Sequence, residues 1–423
     1  MAGKSTDITM PAQKKTKAQK NDQWRKDCVN GGEAASIWRN EGIRQSYQNK
    51  RINYDLYSDI LDQTDIERIC NPLGVMGLNS PAKMQNYPIC NPKIDLLVGE
   101  SIKRKFDWKV RVINDDAISA KEEELRDRLK NIITSHIQAK NQEDGISQEE
   151  LNKKMEADLK KFKDYMDFEY QDTKEKVATH ILSYLYKHLK LDKMFSDGFK
   201  DALICAEEIY QCDIIAGEPI VRRLNPLNVH TVRSGESNKF EDADIITVVG
   251  YMSPGQIIDE YHEYLKPSQV TQIESGFETS SPDSSIDIGR YPDLPLKMDD
   301  AIDMSIIAND LTYGSPFDNH GNIRVTKVYW KSMRKIKKVK YYDEQGDEQY
   351  DLFDETYKID KTKGEEETIL WISEWWEGHK IGGSADDVDG TNAIYCKMQP
   401  RPVQFRSMEN PSKCHPGIVG TIY

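Results

Sequence analysis

Long apolar runs are missing from this sequence. None approaches the roughly 18 residues that a bilayer-crossing helix needs, so no helical membrane span is expected. The first residues carry lysines with no apolar core after them, so no secretory signal is expected there. Cysteine is sparse and unpatterned. The seven, Cys28, Cys70, Cys90, Cys205, Cys212, Cys396 and Cys414, contain no C-x-x-C pair. That spacing excludes a zinc ribbon and a dense disulfide framework and fits reduced thiols in an intracellular setting.

Catalytic signatures are equally scarce. There is no G-x-S-x-G, no G-x-G-x-x-G and no H-E-x-x-H among the eight histidines. Gly3-Lys4-Ser5 mimics the end of a phosphate loop but lacks the strand and first glycine that build its cradle. Asp387-x-Asp389-Gly390 mimics half a calcium loop, yet Ala385 and Cys396 fall where the first and the bidentate ligands belong. His180 and His188 stand two turns apart and are expected to be solvated helix histidines. Cys414-His415 has no third group to orient a thiolate–imidazole pair. No catalytic residue, metal ligand or cofactor site is nominated, and an enzyme is not supported.

What the chain does contain is charge and aromatic mass. Charged residues make up 30% against 38% hydrophobic, and 21 Tyr, 10 Phe and 7 Trp exclude wholesale disorder. The net charge of −13 argues against a protein that grips nucleic acid over its whole surface. The length, 423 residues, fits two to four compact units.

The patterning predicts an α+β protein. Residues 1–33, with Lys4, Lys14, Lys15, Lys17 and Lys20 and few apolar side chains, read as a disordered basic arm. Residues 34–115 read as an α/β segment, helical to about 67, with Phe106–Ile113 alternating as a strand does. Residues 116–267 read as long one-faced helices followed by a β-hairpin. Leu125, Leu129, Ile132, Ile133 and Ile137 form one stripe, Leu151 to Leu189 continue the pattern, and Ser147-x-x-Glu150 is a capping box. The hairpin is Ile209–Ile215 with Ile220–Leu224. Ile245–Val249 reads as a strand before a short helix opened by Ser253-Pro254. Residues 268–322 are acidic and rich in Ser and Pro, an insertion or linker. Residues 323–383 turn to β, and 384–423 form a C-terminal segment.

One charge feature is nominated as a surface. Lys331, Arg334, Lys335, Lys337, Lys338 and Lys340 crowd one strand, while residues 343–367 carry eleven acids. The two blocks either neutralise each other across a hairpin or present a face to a partner subunit, motor or DNA. Trp371, Trp375 and Trp376 beside them are expected to be packing or interface anchors rather than base-stacking platforms.

Several stretches resemble a known family. Arg51-Ile-Asn-Tyr-Asp-Leu-Tyr57, Asn71-Pro-Leu-Gly74 and Tyr87-Pro-Ile-Cys-Asn-Pro-Lys-Ile-Asp-Leu-Leu-Val-Gly-Glu100 are similar to the N-terminal portion of tailed-bacteriophage portal proteins, nearest to the crAss-like phage group. So are Cys205–Val229, Val325–Ser332 and Trp375–Ile381. The resemblance implies a portal-like, ring-forming α+β fold with a clip-like region at 323–383. Chains of that group usually run on past the point where this one stops. It also implies a homo-oligomer, commonly of about twelve copies, at a capsid vertex of the virion, built in the host cytoplasm. Double-stranded DNA would pass through it, and terminase, major capsid protein and neck or tail adaptors would dock on it. No cofactor and no membrane partner are implied. Two other readings are a different head–tail adaptor or scaffold, and a nucleic-acid-processing enzyme.

Overall fold

One strand organises most of the structure. The computed structural model describes residues 10–36, 41–60, 69, 87–104, 108–112, 115–142, 148–164, 172–215, 217–232, 236–274, 322–342, 348–360, 364–382, 393–402 and 415–423. The chain divides into two compact units, Met1–Val98 with Asp197–Tyr423, and Gly99–Ser196. The expected segment boundaries at 115 and 267 do not follow this division, because the discontinuous unit is tied by strand pairing between residues far apart in sequence.

In the larger unit, β1 (Glu207–Ile215) and β2 (Glu218–Arg223) form the expected hairpin. β9 (Ile418–Ile422) pairs with the other edge of β1. A second antiparallel sheet runs β3 (Val229–Val232), β4 (Ile245–Met252), β5 (Ile323–Tyr342), β7 (Glu366–Gly382) and β8 (Ala393–Pro400). β5 has 20 residues, a span of about 65 Å at the usual rise. It pairs with β7 without a shift from Val325↔Ile381 to Lys340↔Glu366. Its other edge is shared: β4 covers Ile323 to Trp330, and β6 (Glu348–Asp354) covers Ile336 to Tyr342.

The gap between them is closed by the N-terminal stretch. Gln13 O accepts from Met333 N at 3.4 Å and from Ser332 Oγ at 3.2 Å, and Lys14 bridges to Met333. The stretch expected to be a disordered arm, residues 1–33, is therefore part of the fold from Met10 onward. Asn21 caps α1 (Asp22–Ser36) by accepting from Trp24 N at 2.9 Å. Trp24, Cys28 and Val29 then pack on Val328, Trp330 and Trp376. The approach is close: a Cβ on Gly32 would strike Val328, and one on Gly378 would strike Val29. The arm's low apolar content misled because its charged residues are buried too. Glu33 meets Lys380 at 2.8 Å and Arg324 at 3.0 Å, all within the core.

Strand alternation sends even-numbered β5 side chains to α1 and odd-numbered ones to the opposite face. There, Ile323 and Val325 pack with Ile257 and Tyr261 of α8 (Pro254–Tyr261) and Ile273 of α9 (Pro267–Glu274). α8 carries the expected Ser253 cap, completed by Gln256. α9 lies inside the segment taken as linker at 268–322, its Ile273 fully buried; residues 275–321 lie outside the described residues. Tyr329 and Trp375 join Ile209, Phe240, Ile246 and Ile418 in a third cluster. Trp375 and Trp376 are thus packing residues of the core, while Trp371 is half-buried.

Helices α2 (Glu41–Tyr57) and α3 (Cys90–Lys103) occupy the first part of the chain, and α7 (Leu191–Cys205) leads into β1. Ile94–Val98 is helical, and residues 108–112 form no strand; Phe106, Asp107 and Ile113 lie outside the described residues. Alternation alone specifies no partner edge, and this stretch finds none among the described residues.

The smaller unit is helical: α4 (Asp115–Gln142), α5 (Gln148–Asp164) and α6 (Thr173–His188), with α4 against α5. α4 starts one residue before its expected start. Asp172 and Glu175 form a capping box that opens α6, so the apolar pattern is cut into separate helices. Ser147 lies outside the described residues. Arg128–Glu124 and Arg126–Glu122 pair along the charged face of α4. Leu125, Leu129 and Ile132 are half-buried, while Ile137 on α4 and Val177 and Ile181 on α6 are exposed.

Two buried histidines make this fold sensitive to mild acid. Burial, aided by the Lys50 charge, holds His230 down to about 3. Burial, then the charges of Lys327, Lys397 and Arg401, hold His379 well below its usual value, with Tyr261 Oη 2.9 Å from Nδ1. The unfolded chain takes up these protons near pH 6.5 and the folded chain does not. Stability is therefore full above that pH and falls as pH drops, by about 1.4 kcal/mol per unit for each histidine. Urea unfolding should show a loss of about 3 kcal/mol between pH 6.5 and 5; a flat profile would contradict the burial of these rings.

Candidate functional site

The six nominated bases share a strand but not a face. With alternation, Lys331, Lys335 and Lys337 lie on one side of β5 and Arg334, Lys338 and Lys340 on the other. All are half-buried. Most are engaged locally. Lys331 reaches Asp244 at 3.6 Å and lies over the Trp375 ring. Arg334 meets Asp354 at 3.4 Å, Lys337 meets Glu367 at 3.0 Å, and Lys340 meets Glu348 at 2.6 Å. Lys338 covers the Tyr350 ring. The hairpin thus neutralises itself across its ladder for these residues, and Glu348 holds the Lys340 ammonium above its ordinary pKa.

Lys335 is different: it enters no ion pair among the described residues, and from the opposite side of the strand to Arg334 it also borders a cleft of this region. That cleft, about 290 Å³, lies between the N-terminal stretch and the middle of β5. Lys15, Lys17, Lys20 and Arg25 form its other basic wall, with Asp354, Glu355 and Glu374 as its acids. The chain fixes these groups firmly. Lys20 is buried, donates to Glu374 at 2.8 Å and to Met333 O at 2.8 Å, and sits over the Trp376 ring. Burial lowers its pKa, and the Glu374 hydrogen bond and charge oppose that only in part. Trp376 Nε1 donates to the same carboxylate at 2.7 Å. Arg25 Nε donates to Lys20 O at 3.2 Å, and Lys17 N donates to Glu355 at 2.9 Å.

Sequence reasoning found two of these six cations and assigned the N-terminal four to a free arm. The missed signal was Asn21 three residues before Trp24, then Cys28 and Val29, a cap followed by an apolar stripe. Among the described residues no group of His, Cys, Asp and Glu could hold a metal ion, and no helix is long and apolar enough to cross a membrane. His180 and His188 are exposed on α6. His415 is tied to Gly417 N at 2.9 Å and faces Glu241 at 3.6 Å. Gly3–Ser5, Asp387–Gly390 and Cys414 lie outside the described residues.

No family model matches the sequence. Comparison with curated proteins gives a different result. The chain is 39% identical, over 437 aligned positions and 98% of its own length, to the portal protein of Bacteroides phage crAss001. It is a relative of the crAss-like phage portals. The alignment takes up 52% of that portal protein, so the chain spans about half the length of the curated relative it matches. In this portal relative the basic wall at residues 15–25 and the basic strand at 331–340 fall within one compact unit.

Proposed function

We propose that the chain is a non-enzymatic subunit of a portal ring at a capsid vertex, through which double-stranded DNA enters and leaves. The observation that carries this is the 39% identity to a phage portal protein across nearly the whole chain. Its physical character supports the reading. DNA must slide, and each phosphate held tightly adds affinity through counterion release. A net charge of −13, with most bases of the long hairpin already paired, avoids that grip.

The ring is a homo-oligomer of about twelve copies, each contact repeating head to tail until it closes. Ile52 and Leu56 on α2, Leu96 and Leu97 on α3, and Val177, Ile181 and Leu182 on α6 are exposed apolar side chains suited to such contacts. Terminase, major capsid protein and neck or tail adaptors dock on the ring, which is assembled in the host cytoplasm and stays in the virion. Lys331, Arg334, Lys335, Lys337, Lys338 and Lys340 are the proposed contact strip for one of these partners.

The test is to image phage particles carrying an epitope-tagged copy of the chain. Label at a single vertex per particle is the expected result. Label spread over the shell, or none on intact particles, would overturn the reading.

A further inference from the structure

We propose that the cleft between residues 15–25 and the middle of β5 is a binding site for a phosphoryl anion. The charge count leaves an excess. Its carboxylates are spoken for: Glu374 by Lys20 and Trp376, Asp354 by Arg334 and Lys17, and Glu355 by the Lys17 amide. Lys15, Arg25 and Lys335 have no carboxylate within ion-pair distance among the described residues, although all three are half-buried. Like charges held together with low-dielectric walls focus a positive field into the concavity. An anion is what relieves it.

Shape narrows the anion. At about 290 Å³ the cleft sits at the small end of ligand pockets, room for one or two phosphoryl groups and too little for a duplex groove. The basic lining comes from two chain segments and combines guanidinium and ammonium groups. A tetrahedral phosphoryl group offers three or more acceptor oxygens to such a set, where a carboxylate offers two. Arg25 is pre-set by its bond to Lys20 O and its stacking on Trp376, and Arg334 by Asp354, so little ordering remains on binding. The source of the group is a backbone phosphate of DNA or a free di- or triphosphate. This inference stands on the cleft's charge and size and not on the ring reading.

The experiment is calorimetric titration of the full chain with pyrophosphate at constant ionic strength, with chloride as control. Single-site binding is expected. The double variant K15E/K335E should weaken it by at least about tenfold, the scale of losing two charge-assisted contacts. Neither side chain enters an ion pair, and an unchanged melting curve will show that the variant is folded. A short duplex that displaces pyrophosphate identifies the DNA backbone as the source; binding of pyrophosphate alone identifies a free phosphate. No heat above the chloride control, equal affinity in the double variant, or tighter binding of an oligoglutamate peptide than of pyrophosphate would each overturn the proposal.

Discussion

Deleting residues 1–36 will unfold the central sheet. A free arm could be removed at no cost to the fold. Here the deletion strips Trp24, Cys28 and Val29 from Val328, Trp330 and Trp376, and leaves three large apolar side chains of the sheet facing water. Burying one such side chain contributes about 1.5–3 kcal/mol. The deletion also takes Glu33 from Arg324 and Lys380, and Lys20 from Glu374. Domains of ordinary stability have about 5–15 kcal/mol in hand, so the combined loss exceeds it. The expected result is insoluble protein, or soluble protein with no cooperative thermal transition. A truncated chain that melts like the parent would show that α1 is dispensable.

The second large effect is at Glu33. Its carboxylate is buried, and burial alone would raise its pKa. The Lys380 and Arg324 charges at 2.8 and 3.0 Å, with the Thr326 hydroxyl at 3.3 Å, reverse that and hold it below the usual range. Glu33→Gln keeps the shape and removes the charge that Lys380 and Arg324 share in the core. Breaking a buried ion cluster from one side costs about 3–5 kcal/mol. Replacing all three members together, E33L with R324M and K380M, should recover most of that loss, because the desolvation of every charge disappears at once. Chemical denaturation of the three proteins tests both statements. A single variant within 1 kcal/mol of the parent, by the same scale, would mean that the cluster is wet rather than buried.

These residues also show what the sequence could reveal. Local signals worked wherever the determinant was local. Ser253-Pro254 opened a helix, Glu207–Ile215 and Glu218–Arg223 closed into a hairpin, and the stripe from Leu125 to Ile137 marked α4. They failed where the determinant was a partner far along the chain. Lys20 and Glu33 read as solvated tail charges, but Glu374 lies 354 residues from the first and Lys380 lies 347 from the second. Phe106–Ile113 alternates well, yet its described residues, 108–112, pair with no edge among the described residues, while β5 continues through its basic middle because β7 pairs with it all along. The cleft was half visible for the same reason. Arg334 and Lys335 stood out as a basic run, whereas Lys15 and Arg25 become a wall only once α1 is docked on the sheet. The portal resemblance came from short runs such as Asn71-Pro-Leu-Gly74, which specify a lineage without specifying a site.

Ring formation is the claim on which the functional account rests, and the mass of the purified chain in solution tests it most directly, with negative-stain images of the same sample. The account predicts closed rings of about a dozen copies, with a central hole of roughly 20 Å or more to pass a duplex. A single species of 48.7 kDa at every concentration, with no rings in the images, would contradict it.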